Sequence, residues 1–172
     1  MSAIHRLASR IFGFGAGLSM ALVFGIIFIN SLRRYTLGKS FEWGEELPIY
    51  LTVYGVMFGI ALAYLQDRHI RFTILTDVLS RQARSRLFAA VDLATAAIGA
   101  TLAWSGLLFA ARRGDVEASG LIGTAKALAE GTGADWLVHI GRMGTWQAAI
   151  GFGGAVLVIA AAIRFGTRLQ ER

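Results

Sequence analysis

The chain has no cysteine, one proline and three histidines in 172 residues, and only 16% of its residues are charged. Without cysteine there is no disulfide framework, no thiolate metal site and no cysteine nucleophile. Three histidines and no thiolate make a poor zinc set. The charged share lies well below the roughly 25% of soluble domains. Apolar surface stands in its place, with 55% hydrophobic residues and a mean hydropathy of +0.57. These values place the chain among membrane proteins. The formal net charge is +6, which in a soluble protein would suggest nucleic acid. No basic face with interleaved aromatics is present, so no nucleic-acid partner is expected. The arginines stand instead at the ends of apolar runs, where they orient a chain in the bilayer and meet lipid headgroups.

Four apolar runs follow one another. Ile11 to Leu32 carries no charge and is long enough to cross a hydrocarbon core of about 30 Å. Arg6 and Arg10 precede it, so a cleavable signal peptide is the rival reading. The run is longer than a signal core and lacks a small-residue cleavage site, so an uncleaved first span is expected. The second run, Leu47 to Leu65, has Pro48 at its start. A helix beginning near 47 would place Pro48 in its first turn, where the missing N–H has no partner. A helix beginning at Ser40 would make it interior, and both readings stand. Residues 70 to 86 are too charged to span. Ile70, Ile74, Leu75, Val78, Leu79 and Ala83 share a helical face with arginines opposite, the pattern of a helix lying in the interface or packed on the bundle end. The third span is expected at about 89–111. Asp92 near its start is read as a solvated or arginine-paired carboxylate, with a buried ion site as the sharper alternative. In the long connection 112–142, a short helix is expected from Ser119, a possible N-cap, to Gly131, a possible stop. Trp136 suits an aromatic belt. The fourth span runs from 143 to 163. The expected fold is therefore an all-α integral membrane protein, a single domain over 1–172, with four transmembrane helices and a short amphipathic interfacial helix between the second and third.

Four spans put both termini on one side. Ten of the seventeen Lys and Arg residues fall on that side and seven on the other, a bias that favours cytoplasmic termini. The spans hold almost no ionisable groups, whereas pumps, proton relays and ion pathways usually need them at depth. Small residues are plentiful: Gly13 with Gly17, Gly55 with Gly59 and Ala63, Gly99 with Ala103, and Gly151, Gly153 and Gly154. Such spacing lets helices approach closely in lipid. Haem is disfavoured because His5, His69 and His139 all fall outside the runs. No cofactor or metal is expected.

The stretch from Arg34 to Leu47 is the most distinctive. Glu42, Glu45 and Glu46 share a helical face at the mouth of the second span. Ser40 is placed to cap that helix, with Glu42 in its first turn, and Trp43 lies at headgroup level. Glu45 and Glu46 stand where desolvation is costly and call for partners, either Arg33, Arg34 or Lys39 in the chain or a cationic surface on another subunit. Arg34-Tyr35, Ser40 and Trp43-Gly44-Glu45-Glu46-Leu47, followed by Gly55, Gly59 and then Arg68-His69-Ile70, resemble the small membrane subunit of TRAP transporters, the DctQ family. The likeness covers residues 10 to 90 by motif, and beyond them by span count. Pro48-Ile49 and the long third connection depart from the family pattern.

The resemblance implies a small, non-catalytic subunit of a bacterial inner-membrane secondary transporter that takes up small organic acids with a sodium gradient. It implies two protein partners, a large membrane subunit carrying the substrate and ion sites and a periplasmic binding protein that the small subunit helps to dock. Trp43, Glu45 and Glu46 would be interface or lipid-level anchors, and Arg68 and His69 a membrane-edge motif. The alternatives are a stand-alone small transporter or channel and the membrane anchor of a redox complex. An enzyme is not expected, since no Ser–His or carboxylate pair stands at matching depth.

Overall fold

The computed structural model describes residues 3–66 and 79–170. It contains four helices long and apolar enough to cross a membrane, and the all-α membrane architecture expected from the sequence is what the chain adopts. Helix α1 spans Ala3–Leu37, α2 Trp43–Leu65, α3 Arg81–Arg112 and α5 Met143–Gln170; a short α4, Ile122–Thr132, and a 3-10 helix, Asp135–Gly141, lie in the last connection.

The helices extend past the apolar runs. At 1.5 Å per residue, the 35 residues of α1 reach about 52 Å, well beyond the hydrocarbon core. Charge marks the membrane border but does not stop a helix, because arginine and leucine are good helix residues. Gly38 stops it. Its φ of +67° suits glycine alone at low cost, and its N–H closes on the Arg34 carbonyl at 3.1 Å, a left-handed helix end. Helix α2 begins at Trp43, not Ser40. Residue Glu42 precedes it with no side-chain cap, so the expected Ser40 cap is not formed and the first-turn acids are Glu45 and Glu46. Pro48 is interior to α2 and buried; it cannot donate the hydrogen bond that a helical residue there would make. Thr52 donates to the Pro48 carbonyl at 2.7 Å.

Helix α3 is capped by Ser80, whose side chain accepts from the Ala83 N–H at 3.3 Å. Residues 81–86, expected at the end of an interfacial helix, are instead the first turns of α3; residues 70–78 of that expected helix lie outside the described residues. In the last connection the short helix starts after Leu121 and ends at Gly133 with φ +70°. The expected Ser119 cap and Gly131 stop are thereby corrected. Gly131 stays helical, and Gly133 supplies the left-handed turn. The two ends of the connection pair as an isolated antiparallel bridge, Glu117 with Arg142. Within it, the Ala118 N–H donates to Gly141 O and the Met143 N–H to Val116 O, both at 2.8 Å.

In space the helices do not follow chain order. The main pairings are α3 with α5, α1 with α2, and α2 with α5, so α2 and α5 are central and α1 and α3 flank them. Phe12 on α1, Ala61 and Leu65 on α2, and Val156 and Ala160 on α5 form the buried core, with Phe58 between Phe12 and Phe152. The α3–α5 seam is backbone against backbone. A Cβ on Gly106 would stand 2.2 Å from the Gly151 nitrogen, and one on Gly154 2.3 Å from the Ala103 nitrogen. This is small-residue packing in lipid, where dispersion and close approach replace the hydrophobic effect.

The seam makes a prediction. Gly106→Ala should lower stability by about 1–3 kcal/mol through overpacking, despite alanine's better helix propensity. Gly25→Ala, which would meet nothing within 4 Å, should be neutral or stabilising by up to about 1 kcal/mol. Thermal unfolding of the detergent-solubilised chain, followed by circular dichroism, checks both.

Candidate functional site

The polar residues gather at the two ends of the bundle. At the end holding the α1–α2 turn, three elements meet around the start of α2. Asn30, buried on α1, accepts the Phe41 N–H at 2.7 Å and so ties the turn to the helix before it. Its amide lies against Gly44, where a Cβ would stand 2.5 Å from the Asn30 Cγ. The glycine in Trp43-Gly44-Glu45-Glu46-Leu47 is therefore a packing requirement. Phe41 stacks on Trp43 with centroids 4.9 Å apart, and the Arg33 guanidinium lies 3.8 Å from the Phe41 centroid. This stack holds residues 41 and 42 outside a longer helix and places Trp43 at the mouth of α2, with the cation desolvated on one face.

Glu46 is used within the chain. One carboxylate oxygen accepts the Gly120 N–H at 2.7 Å, and the other accepts the Tyr50 hydroxyl at 2.6 Å. Charge-assisted bonds of this kind are the strong class. Gly120 approaches so closely that a Cβ there would lie 2.7 Å from the Glu42 carbonyl oxygen. Tyr50 stacks on Trp146 of α5 at 5.3 Å, and Trp146 donates to Ile140 O at 2.8 Å. Tyr54 donates to Thr145 O at 2.9 Å. Glu46 thus fastens the long connection and the start of α5 to α2 without any cation.

Glu45 differs. It is exposed and makes no hydrogen bond or ion pair with a described residue. It lines a cavity of about 410 Å³ between α1 and α2, together with Val23, Ile27, Asn30, Arg34 and Ile49. Arg34 is exposed in the last turn of α1, where its charge suits the helix dipole. Tyr35 is 85% exposed, and Ser40 is exposed in the turn. The structure therefore brings Arg34 and Glu45 to one groove, turns Glu46 toward the long connection, and leaves Tyr35 and Ser40 apart from both. Arg68 and His69 lie outside the described residues.

At the other end, Asp92 on α3 is buried. Its carboxylate pairs with Arg168 of α5, Nε to Oδ2 at 2.8 Å, and accepts the Tyr64 hydroxyl of α2. The arginine-paired reading of Asp92 holds, with the partner some 76 positions away in sequence. His5 is also buried here, with Nε2 3.0 Å from the Leu65 carbonyl oxygen at the end of α2. Nothing in its sequence surroundings signals that role. Asn30, Tyr50, Gly44 and Gly120 were not legible as a set either, because each depends on a partner brought in by the fold. No group of three or more metal-binding side chains stands together among the described residues.

Four apolar helices that hold most of their charged groups at the two rims, with Glu46 and Asp92 satisfied by neighbours in the chain, define a small multi-pass membrane protein of the packing kind. The sequence agrees with a specific member of that class: residues 23–171 match the family model of the DctQ component of the tripartite ATP-independent periplasmic transporters. The chain belongs to the DctQ family and is the small membrane component of such a transporter. No curated protein matches it.

Two outcomes are expected here. Glu46→Ala should lower stability by about 1–3 kcal/mol, since it removes two charge-assisted bonds and leaves the Gly120 amide unpaired, while Glu46→Gln should cost less. Arg168→Met should cost about 3–5 kcal/mol by leaving Asp92 buried and unpaired, and Asp92→Asn in the same chain should recover part of that loss. Thermal melts of the four variants in one detergent check the ranking.

Proposed function

We propose that this chain is the scaffold of a bacterial inner-membrane transporter that takes up small organic acids on a sodium gradient. It packs beside a large membrane subunit and helps to dock a periplasmic binding protein. Both termini face the cytoplasm, so the Trp43 rim and the 113–142 connection face the periplasm, where a binding protein arrives. The observation that carries the reading is the state of Asp92. It is the one carboxylate within the apolar runs, and Arg168 and Tyr64 occupy it. No other Asp, Glu, Lys, Arg or His stands at depth in the four runs to move an ion or hold a substrate.

The contact with the large subunit lies on the groove between α1 and α2. Both flanking helices are apolar and mostly uncovered; among the described residues this flank joins its apolar face to Glu45, an exposed carboxylate with no partner in the chain, whereas Asp115 beyond the end of α3 is paired with Arg142. A carboxylate there gains from a cation on a partner. Trp43, Glu45 and Arg34 are the anchoring residues of this reading, and none acts on substrate.

Two measurements test it. Proteoliposomes holding this chain alone should show no sodium-driven uptake of an organic acid, whereas those holding it with the large subunit and the binding protein should; uptake by the chain alone overturns the scaffold role. Glu45→Lys should reduce co-purification with the large subunit about tenfold or more, the effect of one lost charge-assisted contact, with the melting temperature of the isolated chain unchanged. Full co-purification of that variant removes Glu45 from the interface.

A further inference from the structure

The groove between α1 and α2 contains a buried donor that the described residues leave without an acceptor. Asn30 lines the groove and is only 9% exposed. The Phe41 N–H, 2.7 Å from Oδ1, fixes which way the amide is turned. Nδ2 therefore stands on the other side as a donor, and it makes no hydrogen bond to a described residue. Buried polar side chains are nearly always bonded, so an unpaired donor in a cavity wall calls for an acceptor in the cavity. Two charges line the same space, Arg34 in the last turn of α1 and Glu45 in the first turn of α2. Neither makes an ion pair with a described residue, and each stands at the end of the helix dipole that favours its sign. Val23, Ile27 and Ile49 make the walls apolar. All the lining residues fall between 23 and 52, a stretch that is described throughout.

We infer that this groove binds an ethanolamine phospholipid, its phosphate on Arg34 and the Asn30 amide and its ammonium on Glu45. The polar lining is zwitterionic, with a cation and a neutral donor on the α1 side and an anion on the α2 side. A headgroup with phosphate and ammonium on either end of a short ethylene link complements all three. A choline headgroup has no N–H to donate to Glu45, and a glycerol headgroup brings no cation, so Glu45 selects the ethanolamine form. The acyl chains also have a surface. Ile49, Val56 and Gly59 share the α2 face of Glu45 by helical spacing. Ile49 and Val56 are 63% and 46% exposed, and a Cβ on Gly59 would meet nothing within 4 Å. From position 45 to 59 this face runs about 21 Å at 1.5 Å per residue, more than the roughly 15 Å of one leaflet's hydrocarbon. Soluble phosphoethanolamine would use the polar groups alone, whereas the phospholipid uses the polar groups and this apolar track together. Lipid and large subunit exclude each other in the groove, a consequence that rests on the docking proposed above.

The test uses the delipidated full chain in neutral detergent. Native mass spectrometry counts adducts of phosphatidylethanolamine, phosphatidylcholine, phosphatidylglycerol and soluble phosphoethanolamine. Phosphatidylethanolamine should bind about tenfold or more tightly than each of the others, the effect of one charge-assisted contact. Glu45→Gln should bring phosphatidylethanolamine down to the level of phosphatidylcholine and leave phosphatidylcholine unchanged. Arg34→Gln should weaken both about tenfold, because both carry the phosphate. Both residues are exposed, so the variants keep the fold, and thermal melts matching the parent chain verify it. Equal binding of the three lipids, an unchanged Glu45→Gln variant, or equal binding of soluble phosphoethanolamine would each overturn the inference. The docking reading fails separately. A chain that binds no phosphatidylethanolamine yet cross-links to the large subunit from position 49 overturns the lipid site alone. Selective phosphatidylethanolamine binding without that cross-link supports the lipid site and overturns the docking.

Discussion

The structure depends on a requirement imposed by lipid: a charged group that enters the bundle is costly unless it finds a partner. Glu46 is the clearest case. A carboxylate at the mouth of a membrane helix would be costly if left bare, and it is satisfied by a backbone amide from one element and a phenol from its own. The same bond sets the place of the long connection, which brings Met143 and the start of α5 against α2. Asp92 repeats the arrangement at the other rim, with Arg168 and Tyr64 joining three helices. Between the rims there is little left for polar chemistry, and the glycines of α3 and α5 do the packing.

That division explains why two neighbouring glutamates differ. Glu45 and Glu46 follow one another on a helix, so their side chains diverge by about 100° at 3.6 residues per turn. One turns toward α5 and the long connection and becomes structural. The other turns toward α1 and the groove, where the described residues offer it no partner. Sequence alone could place both carboxylates at the membrane border but could not say which was spent within the chain, because the difference rests on Gly120, which is 74 residues from Glu46.

The number of spans and the helical class were legible because apolar runs of sufficient length admit few alternatives in a bilayer. Helix ends were less so. Arg33 and Arg34 read as the end of a span but lie inside α1, since the border of the lipid and the end of a helix are different events; the glycine with positive φ at Gly38 marks the second. Ser40 had the residue type of a cap, yet the Asn30–Phe41 bond and the Phe41–Trp43 stack fix the backbone two residues later. Gly131 and Gly133 were equally eligible as a stop, and only one takes the left-handed conformation. The pairing of α3 with α5 was implicit in Gly99, Ala103, Gly151 and Gly154, but glycine is frequent in membrane helices and the spacing does not name its partner. The family motif, by contrast, was readable as a whole, and its glycine now has a reason in the side chain of Asn30.

In the proposed assembly the α1–α2 groove, with its exposed carboxylate, is the face turned to the large subunit. A photo-crosslinking residue at Ile49, which is 63% exposed on that groove, compared with one at Leu93, 69% exposed on α3, tests it in the assembled transporter. Position 49 should give an adduct with the large subunit and position 93 none. An adduct from position 93 alone would contradict it and place the large subunit against the opposite flank.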